Sequence, residues 1–274
     1  VENKTMVIKK SLLLPLLLCL ALLLFHSGCS DGRKDSLRRV KSAGQISLAM
    51  SSDYPPFSFY NDKKELDGFD VDVAREIAKR LGVKLNLVVR KWSGIIDGLL
   101  EGSYDAILGS MAITEDRQKI VAFSSPYYHS SVQVMSRKGA PFKDLKDLKG
   151  KIIGIESGSN YVDDAKTLDV TDIRLFDSGT NALLELSKGN LDGVIVDQIV
   201  GINAIKLGKY EIELLGGSLR SERVGIAFRK EDKALVKEVN QILEEMQKDG
   251  FLRELSAKVG RCEYNCYLKD AISG

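Results

Sequence analysis

A repeated alternation of short apolar strands with amphipathic helices is the feature that most limits what this chain can become. Ile46 to Met50 predicts a strand, Asp70 to Leu81 a helix with Val71, Val73, Ile77, Ala78 and Leu81 on one side, and Gly82 its stop. Leu85 to Val89 is strand again. Ile95, Ile96, Leu99 and Leu100 form a second helical stripe that ends at Gly102, and Ala106 to Leu108 follows as a strand. From near Pro141 the order recurs: strand Ile152 to Ile155, helix Tyr161 to Lys166, strand Ile173 to Phe176, helix Asn181 to Leu186, strand Val194 to Val196. A last strand, Gly225 to Phe228, leads into a long helix carrying Leu235, Val236, Val239, Ile242, Leu243 and Met246 at helical spacing, with Gly250 at its end. Such β-α-β-α-β order implies parallel sheets with helices on both faces. A chain of 274 residues has room for two lobes of this kind, because domains typically run ~100–200 residues.

Two segments of the repeat correspond. Asp105-Ala106-Ile107-Leu108-Gly109-Ser110 and Asp192-Gly193-Val194-Ile195-Val196-Asp197 each follow a glycine-containing turn, run as a buried strand and finish on a small or charged polar residue. In doubly wound sheets ligands bind beyond the carboxyl ends of strands, so both segments aim polar groups at one cleft.

The amino terminus carries an address rather than fold. Lys9 and Lys10 precede an apolar run from Leu12 to Phe25, and Ser27 and Gly28 lead into Cys29. That order reads as a secretion signal over residues 1–28, with a run shorter than the ~20 residues a spanning helix needs. Gly28-Cys29 is similar to a bacterial lipoprotein signal, in which Cys29 is acylated and becomes the anchor; His26 departs from that pattern, and cleavage after Ser30 is the alternative. Residues 29–44, rich in Arg, Lys, Ser and Gly from Asp31 to Lys41, are expected to form a tether. In an oxidising envelope Cys262 and Cys266, in a C-terminal extension over 261–274, are expected to be bridged. A metal site there is less supported, since His26 and His129 are the only histidines. Without residues 1–28, Lys4, Lys9, Lys10 and Glu2 leave the 40 basic and 38 acidic residues in formal balance. No basic block with interleaved aromatics suggests a nucleic-acid partner. No cofactor is expected.

Four motifs in register give a more specific reading. Asp53-Tyr54-Pro55-Pro56-Phe57, Gly68-Phe69-Asp70-Val71-Asp72, Asp105 through Ile113-Thr114-Glu115-Asp116-Arg117, and Phe123-Ser124-Ser125-Pro126-Tyr127-Tyr128 resemble the motif series of the bacterial extracellular solute-binding proteins for polar amino acids. The match runs from about Ile46 to Val259. The resemblance implies an α/β type II periplasmic-binding-protein fold, two lobes with mostly parallel sheets, ligand in the cleft between them, and partnership with an ABC-type membrane permease. Lobe 1 is expected over 45–132 and 223–260 and lobe 2 over 133–222, with hinge strands near 131–137 and 218–224. A monomer is expected.

Site residues follow from the same match. Arg117 is placed on the ligand carboxylate, which its planar fork can hold through two parallel hydrogen bonds; the alternative is a surface salt bridge to Glu115 or Asp116. Ser110, the backbone around Ala112, and Ser159-Asn160 at the start of a helix supply further donors, with Gly158 letting the backbone come close; a plain turn with a cap is compatible with that role. Asp197 is placed on the ligand ammonium, shared with Ser110, because an unpaired buried charge is costly; a helix cap is its alternative. Tyr54 and Trp92 resemble residues that sandwich the ligand side chain, core packing being the alternative for Trp92.

Side-chain choice is bracketed by Asp70, which sits where some basic-amino-acid binders contact the ligand and is also a good helix cap, by Glu156, which is either a contact to a cationic side chain or a solvated turn acid, and by Ser51, where relatives often carry a side-chain-reading acid, which weakens the case for lysine or arginine. Glutamine, histidine and basic amino acids remain open. The rival class is an exported dehydratase acting on arogenate or prephenate, which needs a positioned acid; Gln198, Ile199, Val200 and Gly201, just past Asp197, supply none. A ligand-sensing receptor component is the third reading.

Overall fold

The computed structural model describes residues 36–208 and 210–259. The export signal, Cys29 and the expected Cys262 to Cys266 bridge lie outside the described residues. The chain enters with α1 (Ser36–Ala43) and β1 (Gln45–Met50), then a small antiparallel sheet of β2 (Asp53–Tyr54), β3 (Ser58–Tyr60) and β4 (Leu66–Asp67). There follow α2 (Phe69–Leu81), β5 (Lys84–Val89), a 3-10 turn at Trp92–Gly94, α3 (Ile95–Leu100), β6 (Ala106–Ile107), α4 (Glu115–Ile120) and β7 (Ala122–Phe123). The long strand β8 (Tyr128–Arg137) carries the chain across to a second set: β9 (Ile152–Glu156), α5 (Val162–Thr167), β10 (Asp172–Phe176), α6 (Gly179–Ser187), β11 (Gly193–Asp197) and α7 (Gln198–Lys206). β12 (Ile212–Val224) returns it to β13 (Ala227–Phe228), α8 (Lys233–Lys248) and α9 (Phe251–Val259).

Each set builds a five-stranded sheet of the same plan. In the first the order is β5-β1-β6-β13-β7, and in the second β10-β9-β11-β8-β12. The first three strands of each are parallel, and the fourth runs antiparallel to both neighbours, so four strands of five share one direction. In both lobes the reversed strand is one that the chain lays down on arriving from the other lobe.

Period-two alternation splits each strand between two cores. Ile46, Leu48 and Met50 of β1 join Phe69, Val73 and Ile77 of α2 and Leu235, Val239 and Met246 of α8, while Ala49 joins Ile95 and Leu99 of α3 on the other face. In the second lobe Val194 and Val196 pack with α6 and α7 residues, and Ile195 faces Tyr161 and Ala165. Gly82 ends α2 as expected: it takes a left-handed conformation (φ 70°) and its N–H donates back to Ala78 O.

One expectation fails. Residues 36–43, read as part of a tether, form α1 docked on the first lobe. Val40 is 1% exposed in the core, Lys41 Nζ donates to Leu81 O at 2.7 Å, and Arg39 pairs with Asp105 at 2.6 Å. Few apolar residues suffice for this short helix because its charged side chains find partners on the body.

The two lobes are joined by β8 and β12, which pair antiparallel from Ile212↔Arg137 to Val224↔Tyr128 with a register shift between Leu215 and Arg220. Both crossings are extended.

Candidate functional site

Where the lobes meet, one cavity is lined by Ser51, Tyr54, Trp92, Gly109, Ser110, Ala112, Arg117, Glu156, Ser159, Asn160 and Tyr161. Nine of these residues were picked out from sequence. Gly109 and Tyr161 were not, although each adjoins a residue that was; Tyr161 reads from sequence as an apolar helix start, whereas it precedes α5 as its N-cap residue.

Arg117 sits on α4, whose first turn is capped by Thr114 Oγ1 accepting from Arg117 N at 3.2 Å. Its guanidinium donates to Ala112 O at 3.0 Å and, across the lobe boundary, to Gly158 O at 3.4 Å, and it lies 5.6 Å above the Trp92 ring. The residue is 8% exposed, and burial pulls its pKa down. No carboxylate forms an ion pair with it among the described residues; Asp116, one of the two expected surface partners, pairs instead with Lys119 at 2.7 Å. A buried cation held only by carbonyl groups and a π-face is set up to receive an anion.

Ser110 takes φ 57°, a left-handed value. Its hydroxyl donates to Asp70 Oδ2 at 2.7 Å, Tyr127 Oη donates to Asp70 Oδ1 at 2.7 Å, and Ser110 N–H donates to Tyr127 Oη at 3.2 Å. Burial pushes the Asp70 carboxyl up to about 6, against the pull of these two hydroxyls. Asp70 neither lines the cavity nor caps α2, whose N-cap is Gly68 without a side-chain bond. It is a positioning group behind Ser110. With its hydroxyl proton and its N–H both committed, Ser110 presents lone pairs to the cavity and serves as an acceptor.

Asp197 ends β11, is 2% exposed and caps α7, Oδ1 accepting from Ile199 N at 2.7 Å. It does not line the cavity, although its charge helps to raise the pKa values of Tyr54, Tyr128 and Tyr161 around it. Burial pushes it up to about 7, while the nearby Ser130 hydroxyl and the α7 N–H groups pull it down and Glu222 adds to the rise.

Glu156 ends β9 and lines the cavity from the second lobe, as Arg117 does from the first. It is 8% exposed, and no hydrogen bond or ion pair reaches its carboxylate among the described residues. Burial, reinforced by the negative charge of Asp53 and opposed by Arg117, pushes it up to about 8. A solvated turn acid, one of its two expected readings, is excluded by this burial.

Asn160 spends its side chain on a network within the second lobe. Its Nδ2 donates to Glu222 Oε1 at 2.8 Å, as does Arg220 Nη1, and Arg220 also forks onto Asp164 at 2.8 Å. Tyr161 Oη donates to Glu222 Oε2 at 3.3 Å. This network ties the cavity wall to β12. The helix that follows, α5, starts only at Val162 and has six residues, so its dipole gives Ser159 and Asn160 little help.

The lobes also touch elsewhere. Ser178 Oγ donates to Asp53 Oδ2 at 2.6 Å, Lys91 pairs with Asp177 at 2.9 Å, and Gly158, at φ 82°, lies where a Cβ would come within 2.9 Å of Ser93 Cα. Among the described residues no three His, Cys, Asp or Glu side chains gather as a metal-ion site.

Comparison with known proteins places these features in a family. The model of "Bacterial extracellular solute-binding proteins, family 3" matches residues 46–261. The L-cystine-binding protein TcyJ of Escherichia coli (strain K12) is 34% identical over 225 residues, covering 81% of this chain and 85% of that protein. The crystal structure of a mutant of ArgBP from T. maritima superposes with a TM-score of 0.78 at 36% identity, covering 83% of this chain and 100% of that one. The ancestral amino acid-binding protein AncCDT-1, described as a precursor of cyclohexadienyl dehydratase, does so at 0.77 with 31% identity, covering 82% and 99%.

Proposed function

Because the chain belongs to the bacterial extracellular solute-binding proteins, family 3, we propose that it closes two lobes of a type II periplasmic-binding fold around a free amino acid and delivers it to an ABC-type permease. The observation that carries this reading is Arg117: buried, on the cavity wall, and without a carboxylate partner among the described residues. An amino-acid carboxylate supplies the missing counter-charge in the geometry a guanidinium fork prefers. The N–H groups of Ala112 and Asn160, uncommitted among the described residues, and the Ser159 hydroxyl complete its shell.

The ammonium falls to Ser110 and Asp197. Ser110 has lone pairs to offer and no free proton, and Asp197 supplies the buried carboxylate. Arg117 belongs to lobe 1 and Asp197 to lobe 2, so a zwitterion favours the closed arrangement. Closure is assigned to the crossings near 131–137 and 218–224. Tyr54 and Trp92 flank the ligand side chain. The protein works outside the cytoplasm, anchored through an acylated Cys29, as a monomer.

The protein does no chemistry on its ligand. Past Asp197, Gln198 offers an amide rather than an acid and donates to Gln133 Oε1 at 3.4 Å, so a leaving hydroxyl would find no proton donor there. Prephenate incubated with the purified protein is expected to remain unconverted, and turnover would overturn this part of the reading.

A thermal-shift and calorimetric screen against the common amino acids tests the clamp. Arg117→Ala is expected to weaken the best ligand at least about 100-fold, because two charge-assisted bonds are worth ~1.5–3 kcal/mol each. Asp197→Ala is expected to weaken it by a similar factor. A wild-type response that survives both substitutions refutes the zwitterion site.

A further inference from the structure

Charge balance inside the cavity leaves one group unanswered. If the ligand carboxylate takes Arg117 and the ammonium takes Asp197, Glu156 remains on the wall with no hydrogen bond or ion pair of its own among the described residues. Its situation then worsens, since the ligand carboxylate cancels the positive charge of Arg117, the one group that offsets it. Behind Glu156 stands Asp53, part of whose capacity is spent on Ser178. Two neighbouring acids, with the one offsetting cation already claimed by the ligand carboxylate, leave the closed site short of a positive charge.

We propose that Glu156, backed by Asp53, is the specificity-determining residue of the cavity and that the ligand is an amino acid with a cationic side chain. This rests on the zwitterion reading above and deepens it. The groups facing Glu156 are Asp53 and Tyr54 from β2, Arg117 from α4 and Tyr161 ahead of α5. Among them only Arg117 is cationic. A neutral side chain would leave Glu156 to enclose a proton instead, which removes its charge but gives the ligand no ionic partner. A cationic side chain turns the same carboxylate into an attractive contact, and Tyr54 offers its ring to the flat or aliphatic part of that side chain. Because burial holds the free carboxyl near pH 8, a bound cation lowers its pKa and expels part of a proton into solution.

The discriminating pair is L-arginine and its neutral isostere L-citrulline, with L-lysine and L-glutamine as a second pair, titrated calorimetrically into the full chain near pH 7.5. Wild type is expected to hold arginine at least tenfold tighter than citrulline. In Glu156→Gln the preference is expected to collapse to less than threefold while citrulline binding is retained, which also shows that the variant folds. Glu156→Asp is expected to keep part of it. Repeating the arginine titration in phosphate and in Tris, whose ionisation enthalpies differ, is expected to show proton release by wild type and none by Glu156→Gln. An arginine-to-citrulline ratio that is unchanged in Glu156→Gln, or wild type that binds the neutral member of each pair as tightly, overturns the proposal. Failure of the zwitterion reading looks different: Arg117→Ala would then leave every ligand's affinity intact.

Discussion

Asp70 shows how a carboxylate outside a cavity decides what a residue inside it can offer. By accepting hydrogen bonds from both Ser110 and Tyr127 it fixes the direction of a three-member ring of hydrogen bonds. An Asn in its place brings its own donors, which compete with the Ser110 and Tyr127 protons and free the Ser110 hydroxyl to turn. Asp70→Asn is therefore expected to weaken ligand binding about tenfold, or about 1.4 kcal/mol, read by calorimetry. An unchanged affinity would mean that Ser110 is not an ammonium acceptor. The motif Gly68-Phe69-Asp70 was legible in the sequence, but the role of Asp70 was not, because its partners lie 40 and 57 positions away along the chain. Asp197 is similar. Its place at the end of a buried strand was legible, whereas its capping bond to Ile199 depends on where β11 hands over to α7. Glu156 was legible as an acid near the site, and only burial on the folded wall removes its solvent.

At the scale of elements, legibility follows length and periodicity. The strands β1, β5, β9, β10 and β11 and the helices α2, α3, α6 and α8 sit within a few residues of their expected positions, since each carries enough apolar side chains to mark a period. The two-residue strands β2 and β4 are too short for any period to show. In α1 the apolar pair Leu37 and Val40 is surrounded by Arg, Lys and Ser, a composition shared with flexible linkers. What makes it a helix is tertiary: Val40 enters the core, and Lys41 and Arg39 reach the body. Val40→Ala is expected to lower the unfolding free energy by about 1–2 kcal/mol, on the scale of removing buried methyl groups, with a matching shift of the urea midpoint. A change near zero would show that α1 docks too weakly to belong to the body. The contact between Gly158 and Ser93 makes a second prediction. Gly158→Ala adds a methyl where the lobes meet and forces a non-glycine residue to φ 82°, so the closed form is penalised more than the open one. The best ligand is expected to bind at least tenfold more weakly while the melting temperature of the free protein moves by only a few degrees, and equal affinity would mean that closure leaves room at this point.

For the whole molecule, three buried acids in and around the cavity predict an unusual pH dependence. Burial raises Asp70 to about 6, Asp197 to about 7 and Glu156 to about 8, whereas in the unfolded chain such groups titrate near about 4. Between these limits the folded protein holds protons that the unfolded chain has released. Stability therefore falls as pH rises from about 5 to 8, because its slope with pH follows protons bound unfolded minus protons bound folded. Carboxyls held down by bonds to neighbours, such as Glu76 with Arg80 and Lys79, act in the opposite sense, but below this window. Ligand reverses the cavity's contribution. A bound ammonium and a cationic side chain hold Asp197 and Glu156 ionised, so the decline with pH is expected to flatten in saturating L-arginine, and Glu156→Gln is expected to remove its upper part without ligand. At 100 times the dissociation constant, ligand adds about 2.7 kcal/mol, which raises the melting temperature by about 5–10 °C for a chain of this size. Melting curves from pH 5 to 8, with and without arginine, measure both effects. A ligand-free melting temperature that stays constant across that range would show that the three buried carboxyls ionise in the folded protein at no cost, and would remove the electrostatic shortfall on which selection of a cationic side chain depends.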